Sequence, residues 1–465
     1  MNPARPQRVT ILGLGLFGGG VGATRYYAGR GARVVVTDLR NEAVLEESLR
    51  SLSDVPVELH LGGHSEADFK DADVVIVNPA VPPNAPVMDM ARQCGARLDT
   101  AINLLFRECP APMVAVTGTN GKSTTAALLG DIFRAAGRRA WVGGNLGGSL
   151  LSDLDRIRPD DIVVLELSSF QCERLAWVKK SPHIAVVTNL TPNHLDRHHD
   201  MADYASAKQE LLRYQTPDDY MVLNADDPTV RAWGGVGRGQ SAFVGQCVDS
   251  PVCADWKSGM VRLTRNGVSC EVSIERLALP GRHNQFNAAC AAMAAWLAGV
   301  NPAAIEAGLS RAKGLPDRLE CVGEHGGIRF YNDSISTTPE STLAALDAFE
   351  VPVHLIAGGS SKNLCFSELG HRIASTAASV TLLGATADDL ETAIRATDTP
   401  PPPLSRVSDL KSAVRTAYDH ARSGDVVLLS PACASYDMFS NYRERGTAFR
   451  RTVRDLARDV PPHAP

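Results

Sequence analysis

The 465-residue chain lacks several features that mark common classes of protein. It contains no run of about 18 apolar residues, so we expect no helix that spans a membrane. Its first residues, MNPARPQRVTILGLG, lack the apolar segment and cleavage site of a signal peptide. The ten cysteines form no Cys-x-x-Cys pair, which favours free thiols in a reducing compartment over disulfides or a zinc site. We therefore expect a cytoplasmic protein.

The sequence also shows no internal repeat of fixed period and no excess of positive charge. The 47 lysines and arginines are outnumbered by 52 aspartates and glutamates, for a net charge of −5. This balance argues against a nucleic-acid or anionic-membrane partner. The content of 44% hydrophobic and 21% charged residues is typical of a globular protein that can bury several cores. We expect it to be a monomer.

Apolar runs alternate with helical patterns along most of the chain. The runs typical of strands are residues 72–77, 161–167, 183–188, 220–223, 379–383 and 426–429. Such alternation predicts parallel βαβ units and therefore an α/β fold. Proline and glycine interrupt the pattern at residues 109–112 and 314–318. These breaks predict three domains, 1–110, 111–315 and 316–465. The proline-rich segment 399–405 is predicted to be a rigid surface loop.

The first glycine-rich turn follows a predicted strand at residues 8–12. Gly13, Gly15 and Gly18 fit the spacing G-x-G-x-x-G, and Asp38 lies at the end of the next apolar run. This pattern is typical of a Rossmann-like domain that binds a dinucleotide. The same physics suits the diphosphate of any nucleoside diphosphate. A purely structural strand–helix turn is the third interpretation.

The second glycine-rich turn gives the stronger signal. The short apolar run 114–116 precedes the sequence TGTNGKST, and an amphipathic run with Leu128, Leu129, Ile132 and Phe133 follows. The backbone N–H groups of such a loop converge on phosphates, Lys122 supplies a cation and the Ser123 hydroxyl can ligate Mg²⁺. Val116 replaces the first glycine of the general P-loop pattern. A chance match in a helix cap is the alternative.

Ten sequence blocks, in order, resemble the Mur ligases, the ATP-dependent amide-forming enzymes of peptidoglycan precursor synthesis. They are TGTNGKST 117–124, GGNLG 143–147, ELSSFQ 166–171, TNLTPNHLDRH 188–198, YASAK 204–208, GRHNQFN 281–287, DR 317–318, YNDS 331–334, GGSSK 358–362 and SPACASYDMFSNYRERG 430–446. The resemblance implies a Rossmann-like N-terminal domain, a P-loop ATPase-like central domain with a mostly parallel sheet, and a Rossmann-like C-terminal domain. Relatives that extend folate tails usually place the ATP loop near the N-terminus, whereas residues 1–110 precede it here.

The last block, ELSSFQ and NDS most resemble the member that adds glutamate, normally the D-isomer, to UDP-N-acetylmuramoyl-L-alanine. The implied route phosphorylates the substrate carboxylate with ATP, and the amine then attacks the acyl phosphate. Bringing two anions together requires metal ions and cations more than a nucleophilic side chain. Two Mg²⁺ ions are therefore expected with ATP.

The resemblance assigns catalytic or metal-binding roles to five positions. Lys122 contacts the phosphates; Glu166, at the end of the run DIVVLEL, and His194 bind metal with Ser123; and Lys208 matches a lysine that the family carbamylates. Taken alone, Glu166 reads as a strand-end residue facing solvent and Lys208 as a surface lysine. Three histidines between residues 194 and 199 suggest zinc, but no cysteine lies nearby.

The substrate contacts are assigned in the same way. For ATP they are Gly118, Thr119, Asn120, Gly121, Lys122, Ser123, Thr124, Asn284, Asn287, Arg318 and Asp333, with Arg318 completing the site on domain closure. For the UDP substrate they are Gly15, Leu16, Asp38, Arg40, Asn145, Gln171 and His194, with residues 78–84 near the uracil. For the amino acid they are Thr337, Lys362, Ser435 and Tyr442.

Two departures from the family pattern concern the amino-acid site. Ile335 replaces a lysine and Tyr442 a phenylalanine, so L-glutamate or another amino acid stays an alternative. Two interpretations from other classes also stay open. One is an NAD-dependent oxidoreductase built on the first glycine loop, which leaves the ATP loop unexplained. The other is a nucleotide-gated binding protein without chemistry, which leaves Glu166, His194 and Lys208 unexplained.

Overall fold

The protein, seen in a computed structural model, is described for residues 7–16, 18–195, 197–246, 249–360 and 364–459. Its described residues form two compact units. Unit 1 holds the chain up to Glu275 together with Phe286–Ser310, and unit 2 holds Arg276–Gln285 together with the chain from Arg311. Unit 1 contains two β-sheets and unit 2 contains one. The predicted α/β class is confirmed.

The first sheet of unit 1 has five parallel strands in the order β3-β2-β1-β4-β5. The strands are β1 Arg8–Leu12, β2 Arg33–Asp38, β3 Glu58–Leu61, β4 Val74–Val77 and β5 Arg97–Asp99. The helices are α1 Gly19–Ala28, α2 Glu42–Arg50, α3 Pro86–Gln93 and α4 Ala101–Glu108. The central strands are continuous valine- and isoleucine-rich runs because helices cover both faces of such a sheet.

The second sheet of unit 1 has nine strands in the order β14-β13-β12-β11-β10-β9-β6-β8-β7. The strands are β6 Met113–Thr117, β7 Ala140–Gly144, β8 Ile162–Glu166, β9 Ile184–Val187, β10 Tyr220–Asn224, β11 Gln240–Gly245, β12 Val252–Lys257, β13 Met260–Arg265 and β14 Val268–Ser273. The helices in this stretch and after it are α5 Lys122–Ala135, α6 Ser169–Glu173, α7 Met201–Arg213, α8 Pro228–Arg231, α9 Arg282–Leu297 and α10 Pro302–Arg311.

The antiparallel extension of this sheet was not predicted. Strands β12, β13 and β14 pair antiparallel, whereas the other strands of the sheet pair parallel. Ser258-Gly259 and Asn266-Gly267 form the two connecting turns with positive φ at both positions. Asn-Gly between apolar runs is a strong hairpin signal, so the sequence contained the information.

The sheet of unit 2 has six strands in the order β15-β16-β20-β17-β18-β19, parallel except for the pair β15 and β16. The strands are β15 Glu320–His325, β16 Ile328–Asn332, β17 Val353–Ala357, β18 Ala377–Leu382, β19 Leu404–Arg406 and β20 Val426–Leu429. The helices are α11 Pro339–Leu346, α12 Ser367–Thr376, α13 Ala387–Arg395, α14 Leu410–His420 and α15 Tyr442–Asp459. The loop prediction for 399–405 was wrong at its end, because Leu404 and Ser405 pair with β18.

Unit 1 has a core that runs from the first sheet into the second. Leu105 of α4 belongs to one buried cluster with Leu150, Leu154 and Leu165. Short 3₁₀ helices join the elements at Glu66–Asp68, Leu150–Arg156, Arg174–Trp177 and Ala232–Gly235. In the described part of the chain, no helix is long and apolar enough to cross a membrane.

Candidate active site

The loop between β6 and α5 has the shape of a phosphate cradle. Gly118 and Gly121 have φ values of +141° and +81°, which residues with a side chain rarely adopt. A Cβ atom on Gly118 would lie 2.0 Å from Thr188 Oγ1, and one on Gly121 would lie 2.3 Å from Asn287 Oδ1. Glycine is therefore required at both positions. Helix α5 begins directly after Gly121, without a side-chain cap from that residue, and a helix N-terminus favours an anion.

The neighbouring strand β9 holds this loop in place. Asn189, just after β9, accepts two hydrogen bonds from the loop, both at 2.9 Å. The backbone N–H of Thr119 donates to the carbonyl oxygen of Asn189, and the backbone N–H of Asn120 donates to its side-chain oxygen. The Thr119 hydroxyl lies 3.2 Å from the Tyr204 hydroxyl. Lys122 Nζ folds back to donate to the Thr119 carbonyl at 2.7 Å. The loop is thus preorganised, and its lysine lies beside it.

Glu166 is not a solvent-facing residue, because it is only 2% exposed. It ends β8, and its Oε1 accepts a hydrogen bond from Asn145 Nδ2 at 3.1 Å. The backbone N–H of Asn145 also donates to the Glu166 carbonyl at 2.8 Å. Gly144 permits this approach, since a Cβ there would lie 2.4 Å from that carbonyl. Two predicted site residues, Glu166 and Asn145, are therefore in direct contact.

Lys208 is likewise not a surface lysine. It lies on α7 and is 1% exposed. Its Nζ donates to the Gly118 carbonyl at 2.8 Å and lies 4.6 Å from the centre of the Tyr204 ring. Burial, followed by the charge of Lys122, lowers the pKa of Lys208 to about 7, against smaller opposing effects of Cys172 and Glu166. The structure thus brings a lysine with a neutral fraction to the phosphate loop.

His194 lies in the turn that follows β9. Its φ of +55° is unusual for a residue other than glycine. The ring is exposed and lies 5.1 Å from the Phe170 ring, centroid to centroid. His198 of the same turn is buried, and its Nε2 lies 2.9 Å from Ser169 Oγ. The two histidines therefore have different surroundings, one open and one packed.

Two asparagines predicted to handle ATP lie on α9. Asn287 is buried against Gly121, and its Oδ1 accepts a hydrogen bond from Thr125 at 3.4 Å, so it contacts the phosphate loop directly. Asn284 is buried in unit 2, where its Nδ2 donates to the Pro280 carbonyl at 2.7 Å.

Unit 2 contains a buried carboxylate at the end of β16. Asp333 accepts hydrogen bonds from the hydroxyls of Ser336 and Ser430 and from the N–H of Leu319. Burial nevertheless raises the pKa of Asp333 to about 6, because desolvation outweighs these bonds and the charge of Arg318. Arg318 sits between two residues with positive φ, Asp317 and Leu319. This constrained backbone sets the position from which the Arg318 side chain extends.

Arg445 is a residue that the sequence reasoning missed. It lies in the first turn of α15, is 2% exposed and donates to the Ser334 hydroxyl and carbonyl at 3.0 and 2.9 Å. It also donates to the Cys433 carbonyl at 3.1 Å. Ser334 Oγ in turn donates to the Tyr442 carbonyl at 2.7 Å. Arg445 therefore ties the NDS block to the SPACAS block.

Three of the predicted amino-acid contacts, Thr337, Ser435 and Tyr442, lie within three residues of this junction along the chain. Ser435 is buried, while Tyr442 and Thr337 are half-buried. Lys362 lies outside the described residues.

The first glycine loop is supported by Asp38, which is 4% exposed. Its two carboxylate oxygens accept hydrogen bonds from the N–H groups of Gly15 and Arg40 at 3.1 and 2.9 Å. Leu16 is 45% exposed. In the described state the carboxylate of Asp38 thus shapes the loop.

Asn78 is the first residue of the segment 78–84 that was predicted to lie near the uracil, but its contact with the glycine loop was not predicted. Its Nδ2 donates to the Gly13 carbonyl at 3.2 Å, and a Cβ on Gly15 would lie 2.7 Å from that nitrogen. Asn78 also lines a pocket of unit 1 whose wall includes Gly19, Gly144, Ser149 and Gln171. Gln171 uses its side-chain oxygen to cap α6 through the Ser168 N–H at 2.9 Å.

The combination of three α/β sheets, a glycine loop at a helix start, and a buried glutamate and lysine beside that loop defines a class. It is that of α/β proteins that bind a nucleotide through a phosphate loop. Family models agree and are more specific: the Mur ligase MurD-like N-terminal domain matches residues 7–98, the Mur ligase middle domain 116–295, and the Mur ligase glutamate ligase domain 317–433. The chain belongs to the Mur ligase family, which confirms the resemblance seen in the sequence.

Curated relatives match over nearly the whole chain. A protein of Roseiflexus sp. (strain RS-1), named UDP-N-acetylmuramoylalanine–D-glutamate ligase, is 40% identical and covers 96% of this chain and 98% of its own. A protein of the same name from Symbiobacterium thermophilum is 38% identical and covers 97% and 98%. The match over residues 7–98 favours a Mur-type first domain over an NAD-binding one.

Solved structures share the fold. MurF from Acinetobacter baumannii has a TM-score of 0.62 at 18% identity, covering 98% of this chain and 95% of that one. The UDP-N-acetylmuramate–alanine ligase MurC from Thermotoga maritima has a TM-score of 0.61 at 18% identity, covering 97% and 99%. The three-domain Mur fold class is therefore confirmed.

Proposed function

We propose that this chain is an ATP-dependent ligase of peptidoglycan precursor synthesis that joins D-glutamate to UDP-N-acetylmuramoyl-L-alanine. The observation that carries the proposal is the phosphate loop 118–124 with buried Glu166 and Lys208 beside it. Relatives that are 34–40% identical carry this activity in their names. Residues 1–110 would bind the UDP substrate, 111–315 ATP and 316–465 the amino acid. The enzyme would act in the cytoplasm as a monomer.

The reaction has two bond-forming steps. An oxygen of the alanyl carboxylate attacks the γ-phosphorus of ATP, and the bond from that phosphorus to ADP breaks. The glutamate nitrogen then attacks the carbonyl carbon of the acyl phosphate and loses a proton, and phosphate leaves with its bonding electrons. The loop N–H groups and Lys122 hold the triphosphate, so the protein contributes positioning and charge stabilisation.

The residues present fit Mg²⁺. In the part of the chain that the structure describes, no cluster of three His, Cys, Asp or Glu side chains could hold a metal by itself. Mg²⁺ does not need one, because it combines one or two carboxylates with substrate phosphates and water. Glu166 and the Ser123 hydroxyl would hold one ion and His194 with a modified Lys208 a second. Bound Mg²⁺ would supply positive charge between the two anions.

The surroundings of Lys208 support its carbamylation. Only a neutral amine attacks CO₂, forming a nitrogen–carbon bond and releasing a proton. A pKa of about 7 leaves a large fraction of Lys208 neutral near pH 7, whereas an exposed lysine is almost fully charged. The product is a carboxylate, which suits a hard metal ion.

Ile335 does not remove D-glutamate from the proposal. Relatives that are 34–40% identical over nearly the whole chain are named UDP-N-acetylmuramoylalanine–D-glutamate ligase, which supports D-glutamate in spite of this change. Thr337, Ser435, Tyr442 and Lys362 are the proposed contacts to the amino acid.

Hydroxylamine trapping tests the proposed intermediate. The protein is incubated with ATP, Mg²⁺, UDP-N-acetylmuramoyl-L-alanine and hydroxylamine, without glutamate. We expect a hydroxamate of the UDP substrate by mass spectrometry, together with ADP. Omitting ATP is the control and should give none. Absence of hydroxamate in an enzyme that forms the amide would contradict an acyl phosphate.

A further inference from the structure

Arg197 holds one loop of the first sheet through both terminal nitrogens of its guanidinium. Its Nη1 donates to the Ala80 carbonyl at 2.8 Å, and its Nη2 donates to the carbonyls of Pro79 and Val81 at 2.9 and 3.0 Å. The guanidinium carbon lies 4.6 Å from the centre of the Phe170 ring. A planar guanidinium that satisfies three neighbouring carbonyls fixes a backbone in a way that a lysine cannot.

The loop that Arg197 holds shapes the proposed UDP-substrate site. Asn78 precedes the three carbonyls, and it contacts Gly13 and Gly15 of the glycine loop. Its Oδ1 also accepts a hydrogen bond from the Ala80 N–H at 3.0 Å. Pro79 lines the same pocket as Gly13 and Gln171. A shift of the loop would therefore move the side chain that packs against both glycines.

The other end of Arg197 belongs to the turn that carries His194. The backbone N–H groups of Arg197 and His198 both donate to the His194 carbonyl, at 3.0 and 2.9 Å. Phe170 packs against the rings of His194 and His198 as well as under Arg197. One side chain thus links the turn of a proposed metal ligand to the loop of a substrate site.

A second arginine, Arg174, contacts the same loop, but its burial indicates that it serves the core. Arg174 Nη2 also donates to the Val81 carbonyl, at 3.2 Å, but Arg174 is 3% exposed and its carbonyl accepts from Asn103 Nδ2. Burial lowers the pKa of Arg174, as expected for a guanidinium packed into a core. Arg197 is half-buried and borders the pocket loop, so it can be changed with less damage to the core.

We propose that Arg197 is a positioning residue that couples the UDP-substrate loop, residues 78–82, to the turn of His194. The inference rests on the proposed function, because it needs the UDP substrate to occupy the glycine-loop side of the pocket. Arg197 itself does not contact the substrate in this proposal; it holds the backbone of the loop that borders the pocket. Its loss should weaken binding of the UDP substrate selectively and lower kcat through His194.

The test is steady-state phosphate release by the full-length protein, varying one substrate at a time. Arg197→Met keeps an apolar stem over Phe170 and removes the fork, and Arg197→Lys keeps the charge. We expect KM for the UDP substrate to rise roughly 10- to 100-fold in Arg197→Met, as for loss of charge-assisted hydrogen bonds, with KM for ATP unchanged. Arg197→Lys should show a smaller rise of the same kind. Arg139→Met, which removes another arginine stacked on an aromatic ring at 4.6 Å, is the matched control and should match wild type.

The outcomes separate the two claims. If the wild-type enzyme releases no phosphate from ATP in the presence of the UDP substrate, both the proposed function and this inference are wrong. An active wild type with an unchanged KM for the UDP substrate in Arg197→Met overturns the inference alone. Equal changes in all three KM values with a lowered Tm would also overturn it, because that is a general loss of structure. If Arg197→Met does not fold, the selectivity of Arg197→Lys decides.

Discussion

At the scale of single residues, burial shifts two ionisable groups toward their neutral forms. The pKa of Lys208 falls to about 7 and that of Asp333 rises to about 6, in both cases chiefly through desolvation. Such shifts are typical of functional sites. Both values lie near the pH at which enzymes work, so both groups should leave a trace in pH profiles.

Replacing Lys208 should remove most of the activity. Lys208→Arg keeps a cation but has no neutral amine, so it cannot form a carbamate; we expect kcat to fall by about 10²-fold or more. In wild type without added bicarbonate, activity should fall as pH drops through about 7, since the amine becomes protonated, and bicarbonate should restore it. Lys411→Arg, at an exposed helix position, is the control. Full activity of Lys208→Arg would refute the role.

Because of Asp333, we expect KM for ATP to depend on pH in the acidic range. Below its pKa of about 6 the carboxyl is protonated and loses its negative charge, so KM for ATP should rise as pH falls through that value. Asp333→Asn is neutral at every pH, and its KM should be raised and flat between pH 5 and 8. The measurement is KM for ATP against pH for both proteins. A pH dependence that survives in Asp333→Asn would have to come from another group.

Residues that carry chemistry were easier to predict than residues that hold backbone. The residue types of the loop 118–124 indicate phosphate binding by themselves, whereas Glu166 and Lys208 were assigned through the resemblance to the Mur ligases. Asn78, Arg197 and Arg445 act on backbone carbonyls, which have no sequence pattern. Only the folded chain shows which loops these side chains bring together. The individual ligand contacts assigned by resemblance stay predictions.

At the scale of elements, the start of α5 joins backbone geometry to nucleotide binding. Gly121, before the helix, and Gly137, after it, have nearly the same positive φ, +81° and +75°. Only Gly121 is crowded, since Gly137 would place a Cβ with no atom within 4 Å. Substitutions at the two glycines therefore distinguish the effect of backbone strain from the effect of a close contact with Asn287.

Gly121→Ala should be far more damaging than Gly137→Ala. Both substitutions incur about 1 kcal/mol of left-handed strain, but Gly121→Ala must also displace Asn287 from the loop. We expect the Kd for ATP to rise strongly only in Gly121→Ala, measured by titration calorimetry, with both Tm values lowered. Equal ATP affinity in the two variants would show that the close contact with Asn287 does not matter.

The predicted strands at 161–167, 183–188 and 426–429 are observed as β8, β9 and β20, because continuous apolar runs between glycine turns leave little choice in an α/β chain. The hairpins β12–β14 were missed even though Asn266-Gly267 marks one turn. The prediction was based on continuous apolar runs, whereas β13 alternates buried Val261 and Leu263 with exposed Arg262, and three of the six residues of β14 are exposed.

At the scale of the whole molecule, two compact units with separate cores should unfold separately. We expect calorimetry to resolve two transitions. The proposed contacts to the UDP substrate, from Gly15 to His194, all belong to unit 1. That ligand should therefore raise one transition more than the other. A single transition, or an equal rise of both, would contradict independent units.

The most direct test of the central claim is phosphate release with ATP, Mg²⁺ and UDP-N-acetylmuramoyl-L-alanine, with D-glutamate and L-glutamate added in separate reactions. We predict release that depends on D-glutamate, with Ile335 a tolerated change from the family pattern. Release only with L-glutamate would keep the ligase chemistry and contradict the assigned amino acid. No release with either isomer would contradict the proposed function itself.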